Sequence, residues 1–153
     1  MIHGWFGDGV LSRPFVSASL FLAEAPREAK INFLVDTGAD QTCLMPADAQ
    51  AMRLDFAALN DPVAARGIGG RVKVHQRTGA ITFLERGVGL VVYDVSVYIY
   101  PDRVPYRDYP SILGRDVLNS WRIQYSRPEN ILTAEAIRHD LLVPMPISPD
   151  RPA

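Results

Sequence analysis

The sequence predicts a single all-β domain that contains one or two short helices. Short apolar runs alternate with small or polar residues, as at residues 15–22, and this spacing is typical of strands that bury one face. Turns rich in glycine, proline, aspartate and asparagine separate the runs. At 153 residues and 48% hydrophobic content, the chain suits one core of common size. We found no internal repeat or linker, and we predict one domain over residues 1–143.

The strand pattern predicts two hairpins and several further strands. Residues 15–22 and 30–35 form the first hairpin, and residues 122–126 and 131–136 form the last. Val, Ile and Tyr are enriched in most of the remaining runs, as they are in strands generally. The remaining predicted strands are 41–45, 71–74, 80–84 and 89–100, with 76–79 as a break.

Two short helices and a terminal tail complete the prediction. Pro46 is well suited to a first helical turn, which predicts a helix over residues 46–54, and residues 115–121 predict another. Residues 144–153 contain four prolines, a composition that favours a flexible, extended tail.

Charge and hydropathy exclude several classes of function. Sixteen Lys and Arg residues oppose seventeen Asp and Glu residues, and the formal net charge is -1. Because no segment concentrates basic residues, nucleic acid is not an expected partner. Charges such as Asp94 interrupt the apolar runs, and none approaches the ~20 residues that span a bilayer. We therefore expect a soluble protein without a membrane span.

The apolar stretch at residues 14–23 raises the question of a signal peptide, since Ala23-Glu24-Ala25 imitates a cleavage site. However, Asp8 lies where a basic segment is required, and Ser17 and Ser19 alternate with apolar neighbours as in a strand. Cleavage would also remove a strand that precedes Asp36. We interpret this stretch as mature structure and expect a cytoplasmic protein.

The most informative signal is a pair of glycine turns, each preceded by an apolar run. Residues 31–35 lead into Asp36-Thr37-Gly38, and residues 111–113 lead into Gly114-Arg115. A carboxylate that a strand delivers into a tight glycine turn is held rigidly, which suits acid–base chemistry. The tripeptide Asp-Thr-Gly alone also occurs in ordinary β-hairpin turns. The surrounding sequence therefore decides whether this turn is catalytic.

Residues 33–40 and 112–118 closely resemble the two signature segments of retropepsins, the aspartic proteases of retroviral type. Between them, residues 67–74 resemble the glycine-tipped flap of that family. The resemblance runs in the right order from about residue 14 to residue 136. It implies a small, closed, barrel-like acid-protease fold that is active as a C2 homodimer and acts on peptides or proteins.

The resemblance assigns catalysis to one Asp-Thr-Gly turn per chain. Two facing carboxylates can hydrolyse a peptide bond, one as base and one as acid. Since this chain offers one such turn, the family pattern implies that Asp36 meets Asp36 of the partner subunit across a twofold axis. Thr37 would lock the two turns together, and Gly38 would keep the approach of the substrate clear. Ala39 lacks the hydroxyl that pepsin-like enzymes usually carry there, which implies activity nearer neutral pH.

Two further groups of residues are assigned by the same resemblance. Ala39 and Asp40 would contact substrate, and Arg115, supported by Gly114, would hold Asp40 through a bidentate ion pair. Asp116 matches the acid or amide that often follows this arginine, although helix capping explains it equally well.

The glycine-rich segment has two readings. As a flap it would close over substrate through a hairpin tip formed by Gly67, Ile68, Gly69 and Gly70. A phosphate-binding loop would need a helix after it, whereas residues 71–74 predict a strand. Arg71 departs from the apolar residue common at this point in the retroviral enzymes.

Other chemistries have little support in the sequence. His3, His75 and His139 lack metal-ligand spacing, and we expect neither a metal nor a cofactor. Ser111 lacks the glycine frame of a nucleophile elbow. The lone Cys43 is expected to be a small buried hydrophobe rather than a reactive thiol. Two hypotheses remain, namely a homodimeric aspartic endopeptidase and a non-proteolytic dimerisation or peptide-binding module of the same fold.

Overall fold

The computed structural model describes residues 1–67 and 69–145. Within these ranges the chain forms eleven strands, three short α-helices and one 3-10 turn at Phe56–Ala58. The strands are β1 (Ile2–Phe6), β2 (Pro14–Leu22), β3 (Ala29–Val35), β4 (Cys43–Leu44), β5 (Val63–Gly67), β6 (Gly70–Glu85), β7 (Gly89–Ile99), β8 (Ile112–Leu113), β9 (Trp121–Ser126), β10 (Ile131–Ala136) and β11 (Leu141–Pro144). The helices are α1 (Pro46–Ala51), α2 (Val104–Arg107) and α3 (Arg115–Leu118).

Six strands close into a barrel, which confirms the predicted fold class. Strands β6, β7, β4, β8, β3 and β2 pair in that order, and β2 then pairs with β6 to complete the ring. Alternate residues of β2 and β7 are buried, so their apolar side chains fill the interior. Phe33 and Phe83 are the largest fully buried side chains of this core.

Two groups of strands extend from the barrel. Strands β1, β10 and β9 continue the sheet outward from β2. At the other end, β5 and the first part of β6 form an antiparallel hairpin that pairs Gly67 with Gly70 at its tip. Strand β11 lies along β7. None of the helices in the two described ranges is long and apolar enough to cross a membrane.

The predicted break at residues 76–79 is wrong, because β6 continues through it and pairs with β7 throughout. Gly79 indicated a turn, yet it marks a close crossing of two strands. A Cβ atom at this position would lie 2.5 Å from the carbonyl oxygen of Phe21 in β2. The glycine thus permits β6 to pair with β2 and close the barrel.

Several boundaries differ from the predicted ones. Strand β4 has two residues rather than five, and α1 and α3 each end three residues early. Strands β1, β5, β8 and β11 and helix α2 were not predicted. Strand β11 reaches Pro144, the first residue of the predicted tail, whereas residues 146–153 lie outside the described residues.

Candidate active site

The Asp36 turn lies at the end of β3 and is fixed by backbone hydrogen bonds on both sides. Asp36 N–H donates to the Leu113 carbonyl at 3.1 Å, and Ala39 N–H donates to the Asp36 carbonyl at 3.2 Å. Gly38 N–H donates to Asp36 Oδ1 at 2.8 Å, and a Cβ atom on Gly38 would crowd that oxygen at 3.1 Å. The half-buried carboxylate is therefore held in one orientation by its own turn.

A second segment crosses directly behind this turn at Gly114. Arg115 N–H donates to the Ala39 carbonyl at 2.9 Å, and Asp116 N–H donates to the Asp40 carbonyl at 3.2 Å. A Cβ atom on Gly114 would lie 2.5 Å from the carbonyl carbon of Gln41. The φ angle of Gly114 is -94°, which any residue adopts. Glycine is needed here because two backbones touch.

Thr42 and Asp116 form a partly buried clamp between the two segments that the sequence did not reveal. Thr42 is fully buried. Its backbone N–H donates to Asp116 Oδ2 at 3.0 Å, and its hydroxyl donates to Asp116 Oδ1 at 2.9 Å. The same hydroxyl accepts a hydrogen bond from Gly114 N–H at 3.3 Å. Asp116 Oδ1 also accepts a hydrogen bond from Val117 N–H at 3.1 Å within the first turn of α3, although no side chain caps the start of this helix.

Arg115 contacts Asp40, as expected, but the predicted bidentate geometry is wrong. One guanidinium nitrogen, Nη2, donates to Asp40 Oδ1, and the other, Nη1, donates to the Thr37 carbonyl at 3.3 Å. The pair is also exposed, since the Asp40 side chain is 82% accessible and that of Arg115 is 45% accessible. Arg115 thus ties α3 to both ends of the turn from its outer side.

Ser111 joins the barrel to α1 through a buried hydroxyl. Met45 N–H donates to Ser111 Oγ at 3.0 Å, and this hydroxyl donates to Asp48 Oδ2 at 2.6 Å. Leu34 N–H donates to the carbonyl of the same serine at 2.8 Å. Because Ser111 is fully buried and engaged on both sides, its role is structural.

Cys43 follows the turn and is buried, as predicted. Burial, together with the smaller effect of the nearby carboxylates of Asp116 and Asp36, raises the pKa of its thiol to about 12. The thiol is thus protonated at neutral pH and is a poor nucleophile. Elsewhere in the described ranges, no group of three or more His, Cys, Asp or Glu residues could hold a metal ion.

The predicted flap is the exposed hairpin of β5 and β6. Gly67, Gly69 and Gly70 lie at its tip, while Ile68 lies outside the described residues. Gly70 has a φ of +105°, and no heavy atom would meet a Cβ at any of these three glycines. The tip is surrounded by open space, and Gly70 supplies a backbone conformation that other residues rarely adopt.

A cavity of about 570 Å³ separates the hairpin tip from the body of the barrel. Leu34 and Ile112, which are paired in the strands leading to the two glycine turns, form part of its floor. None of residues 36–40 lines this cavity. Its other lining residues are Arg13, Met45, Gly67, Gly69, Gly70, Arg71, Val72, Tyr100, Tyr106, Tyr109 and Pro110.

Two solved structures are among those similar to this chain. A retropepsin-like aspartic protease from Rickettsia conorii superposes with a TM-score of 0.51 at 20% identity, covering 83% of this chain and 85% of that one. EIAV protease complexed with the inhibitor HBY-793 gives a TM-score of 0.43 at 22% identity, covering 74% and 91%. A search of curated proteins gave no match.

A family model provides the decisive match. The model described as "gag-polyprotein putative aspartyl protease" matches residues 27–120, which include the Asp36 turn, the hairpin of β5 and β6, and the Gly114 crossing. This segment is more than half of the chain, and the solved structure from Rickettsia conorii has the same fold. The chain therefore belongs to the retropepsin-like aspartic protease family.

Proposed function

We propose that the protein is an aspartic endopeptidase that works as a homodimer. The observation that carries the proposal is the Asp36 turn, whose carboxylate is oriented by Gly38 N–H and whose backbone is locked to the Gly114 segment. The family match includes both segments. Each chain offers one such turn, so two chains are needed to supply a base and an acid.

In the proposed mechanism, Asp36 and Asp36 of the partner subunit share one proton. The ionised carboxylate removes a proton from a water molecule, whose oxygen attacks the scissile carbonyl carbon. The protonated carboxyl donates a hydrogen bond to the carbonyl oxygen. When the tetrahedral intermediate collapses, the C–N bond breaks and the amide nitrogen receives a proton from the carboxylate that had accepted it from water.

The neighbours of Asp36 position this pair and the substrate. Thr37 is exposed beside the carboxylate, where it can hydrogen-bond across the twofold axis. Gly38 and Ala39 leave room for an extended peptide, and Asp40 can accept hydrogen bonds from its backbone.

Substrate would lie between the dimer turns and the flaps. Gly67, Ile68, Gly69 and Gly70 would close over it, exclude water and supply backbone hydrogen bonds. The 570 Å³ cavity beneath the tip is lined by Leu34, Ile112 and aromatic residues. A cavity of this size and lining accommodates one bulky apolar side chain next to the cleaved bond.

Digestion of a peptide library tests the proposal. We expect cleavage that an inhibitor mimicking the tetrahedral transition state of aspartic proteases abolishes, and a bell-shaped pH profile that belongs to the carboxyl pair. Activity per subunit should fall on dilution, because a monomer holds half of the pair. Peptide binding without any cleavage would instead identify a non-proteolytic module of the same fold.

A further inference from the structure

One face of the flap hairpin is basic. Arg66 pairs directly with Arg71 across the two strands, and Lys73 pairs with Ala64. Directly opposed residues, and those two apart along a strand, share one face. The three cations therefore lie on the same side of the hairpin, which we call the basic flap face. All three are exposed.

The opposite side of the same hairpin is apolar. Ala65 pairs with Val72 and Val63 with Val74, and Ala65 and Val74 are buried. This side explains how the base of the flap packs, but it does not explain the cations. Among the described residues, Arg66, Arg71 and Lys73 form no salt bridge and no side-chain hydrogen bond with an acid. Like charges directly opposite each other destabilise an antiparallel pair, so an anion bound at the basic flap face would stabilise the hairpin.

The cavity beneath the flap has the same sign of charge. Arg13 and Arg71 are its charged lining residues, and no lining residue among those described is acidic. Asp102, close in sequence to Tyr100, is already engaged by Arg107 at 2.7 Å. Because the whole chain has a net charge of only -1, this positive surface is local to the flap and the cavity.

We propose that the preferred substrates carry an aspartate or glutamate close to the bulky apolar residue at the cleaved bond. When the flap closes, the acidic side chain would lie against Arg71, the residue of the basic flap face that lines the cavity, and would offset its repulsion from Arg66. The apolar side chain would enter the tyrosine-lined cavity. Charge-assisted hydrogen bonds to arginine supply the recognition. The inference rests on the proposed function and adds a substrate class to it.

The test begins with peptides that the wild-type protein cleaves in the library. Each is resynthesised with Glu, Gln or Lys at every position within three residues of the bond. We expect kcat/KM for the best Glu peptide to exceed that of its Gln counterpart by about tenfold, and the Lys peptide to be cut most slowly. Added salt should lower the ratio of kcat/KM for the Glu peptide to kcat/KM for the Gln peptide (the Glu-to-Gln ratio), because salt screens the exposed arginines.

Variants then assign the preference to the flap. In Arg71→Glu, and in Arg66→Glu combined with Arg71→Glu, the Glu-to-Gln ratio should fall to one or below, and the Lys peptide should no longer be the one cut most slowly. Arg71→Gln, which removes the charge with little change of shape, should give a ratio near one. Arg86→Glu is the matched control, since Arg86 is exposed and follows β6 at the end of that strand opposite the flap tip, and its ratio should equal that of the wild type.

The outcomes separate the two proposals. If the wild type cleaves peptides but shows no preference for Glu over Gln, or if Arg71→Glu keeps the wild-type ratio, the inference about acidic substrates is overturned and the protease proposal stands. If the wild type cleaves nothing in the library, the proposed function fails and the inference fails with it. A ratio that inverts in the flap variants and holds in Arg86→Glu supports the inference.

Discussion

The Asp36 turn and the flap hairpin are both built from a glycine-containing turn, yet the protein holds them in opposite ways. At the turn, two backbone segments touch at Gly114, and the fully buried Thr42 joins them through Asp116. At the flap tip, a Cβ on Gly67, Gly69 or Gly70 would meet nothing. The backbone of the Asp36 turn is thus fixed by several contacts, whereas a side chain added at the flap tip would make none.

This difference matches what each region has to do in the proposed mechanism. A catalytic carboxylate must be placed before substrate arrives, because reorganisation during the reaction would raise the barrier. A flap must open and close, and segments that move are those with few buried contacts. The need for a fixed carboxylate restricts the residue types at the turn. The need for a moving flap leaves side chains such as Arg66 and Arg71 free to determine substrate specificity.

The largest expected effect follows from removing the carboxylate itself. Asp36→Asn should lower kcat by more than ~10³-fold while the protein remains folded, because the amide can neither accept the proton from water nor share one with its partner. Mixing wild type with excess Asp36→Asn should also inactivate wild-type subunits, since heterodimers hold one carboxyl group. Kinetics and circular dichroism of the mixtures measure both effects.

Asp94→Asn is the matched control for this substitution, since Asp94 is exposed on β7, and it should retain activity. Cleavage of a validated peptide by pure Asp36→Asn would exclude Asp36 as the catalytic base. Constant activity per wild-type subunit in the mixtures would make the monomer the working unit.

The second prediction compares the two glycine regions directly. Gly114→Ala should destabilise the fold by about 3 kcal/mol or more, because the new methyl group meets the backbone of Gln41, which cannot give way. Gly67→Ala should change the free energy of unfolding by about 0.5 kcal/mol or less, since it meets open space. Chemical denaturation of both variants measures the contrast. Equal losses would show that the flap is as constrained as the crossing.

A third prediction concerns the clamp of Thr42 and Asp116 behind the turn. Thr42→Val keeps the side-chain shape but removes the hydroxyl, leaving Asp116 Oδ1 with one donor fewer and Gly114 N–H without its acceptor. The expected loss is about 1 to 3 kcal/mol in the free energy of unfolding. Thr78→Val, at an exposed position of β6, should change stability far less. If both variants unfold alike, the clamp contributes nothing beyond its packing.

The regular spacing of apolar residues predicted an all-β domain, whereas the closed barrel and the role of the turn followed from the resemblance of the ordered glycine segments to those of retropepsins. Sequence patterns misplaced the break in β6 because a glycine at a close strand crossing, such as Gly79, cannot be told from a turn glycine by pattern alone. They left the Thr42–Asp116 clamp undetected because its partners are far apart in sequence and carry no motif. The basic flap face required the register, which places Arg66 opposite Arg71.

The last prediction concerns the ion pair on the outer side of the turn, where only a small effect on stability is expected. Arg115→Ala removes contacts to Asp40 and to the Thr37 carbonyl, but both side chains are exposed, so the free energy of unfolding should fall by about 1 kcal/mol or less. Arg122→Ala, which breaks the exposed pair with Glu135, is the matched control and should cost a similar amount. Proteolytic activity, unlike stability, should differ between Arg115→Ala and Arg122→Ala.

Arg115→Ala is expected to lower kcat/KM by about tenfold and to weaken the proposed dimer, because the carbonyl of Thr37 and the carboxylate of Asp40 both lose the group that orients them. Arg115→Lys should recover part of the activity, since a single ammonium group can reach one partner but lacks the fork that reaches both. Sedimentation and steady-state kinetics of the three variants provide the readout. An unchanged dimer constant with intact activity in Arg115→Ala would reduce the pair to a surface contact and leave the orientation of the turn to its backbone alone.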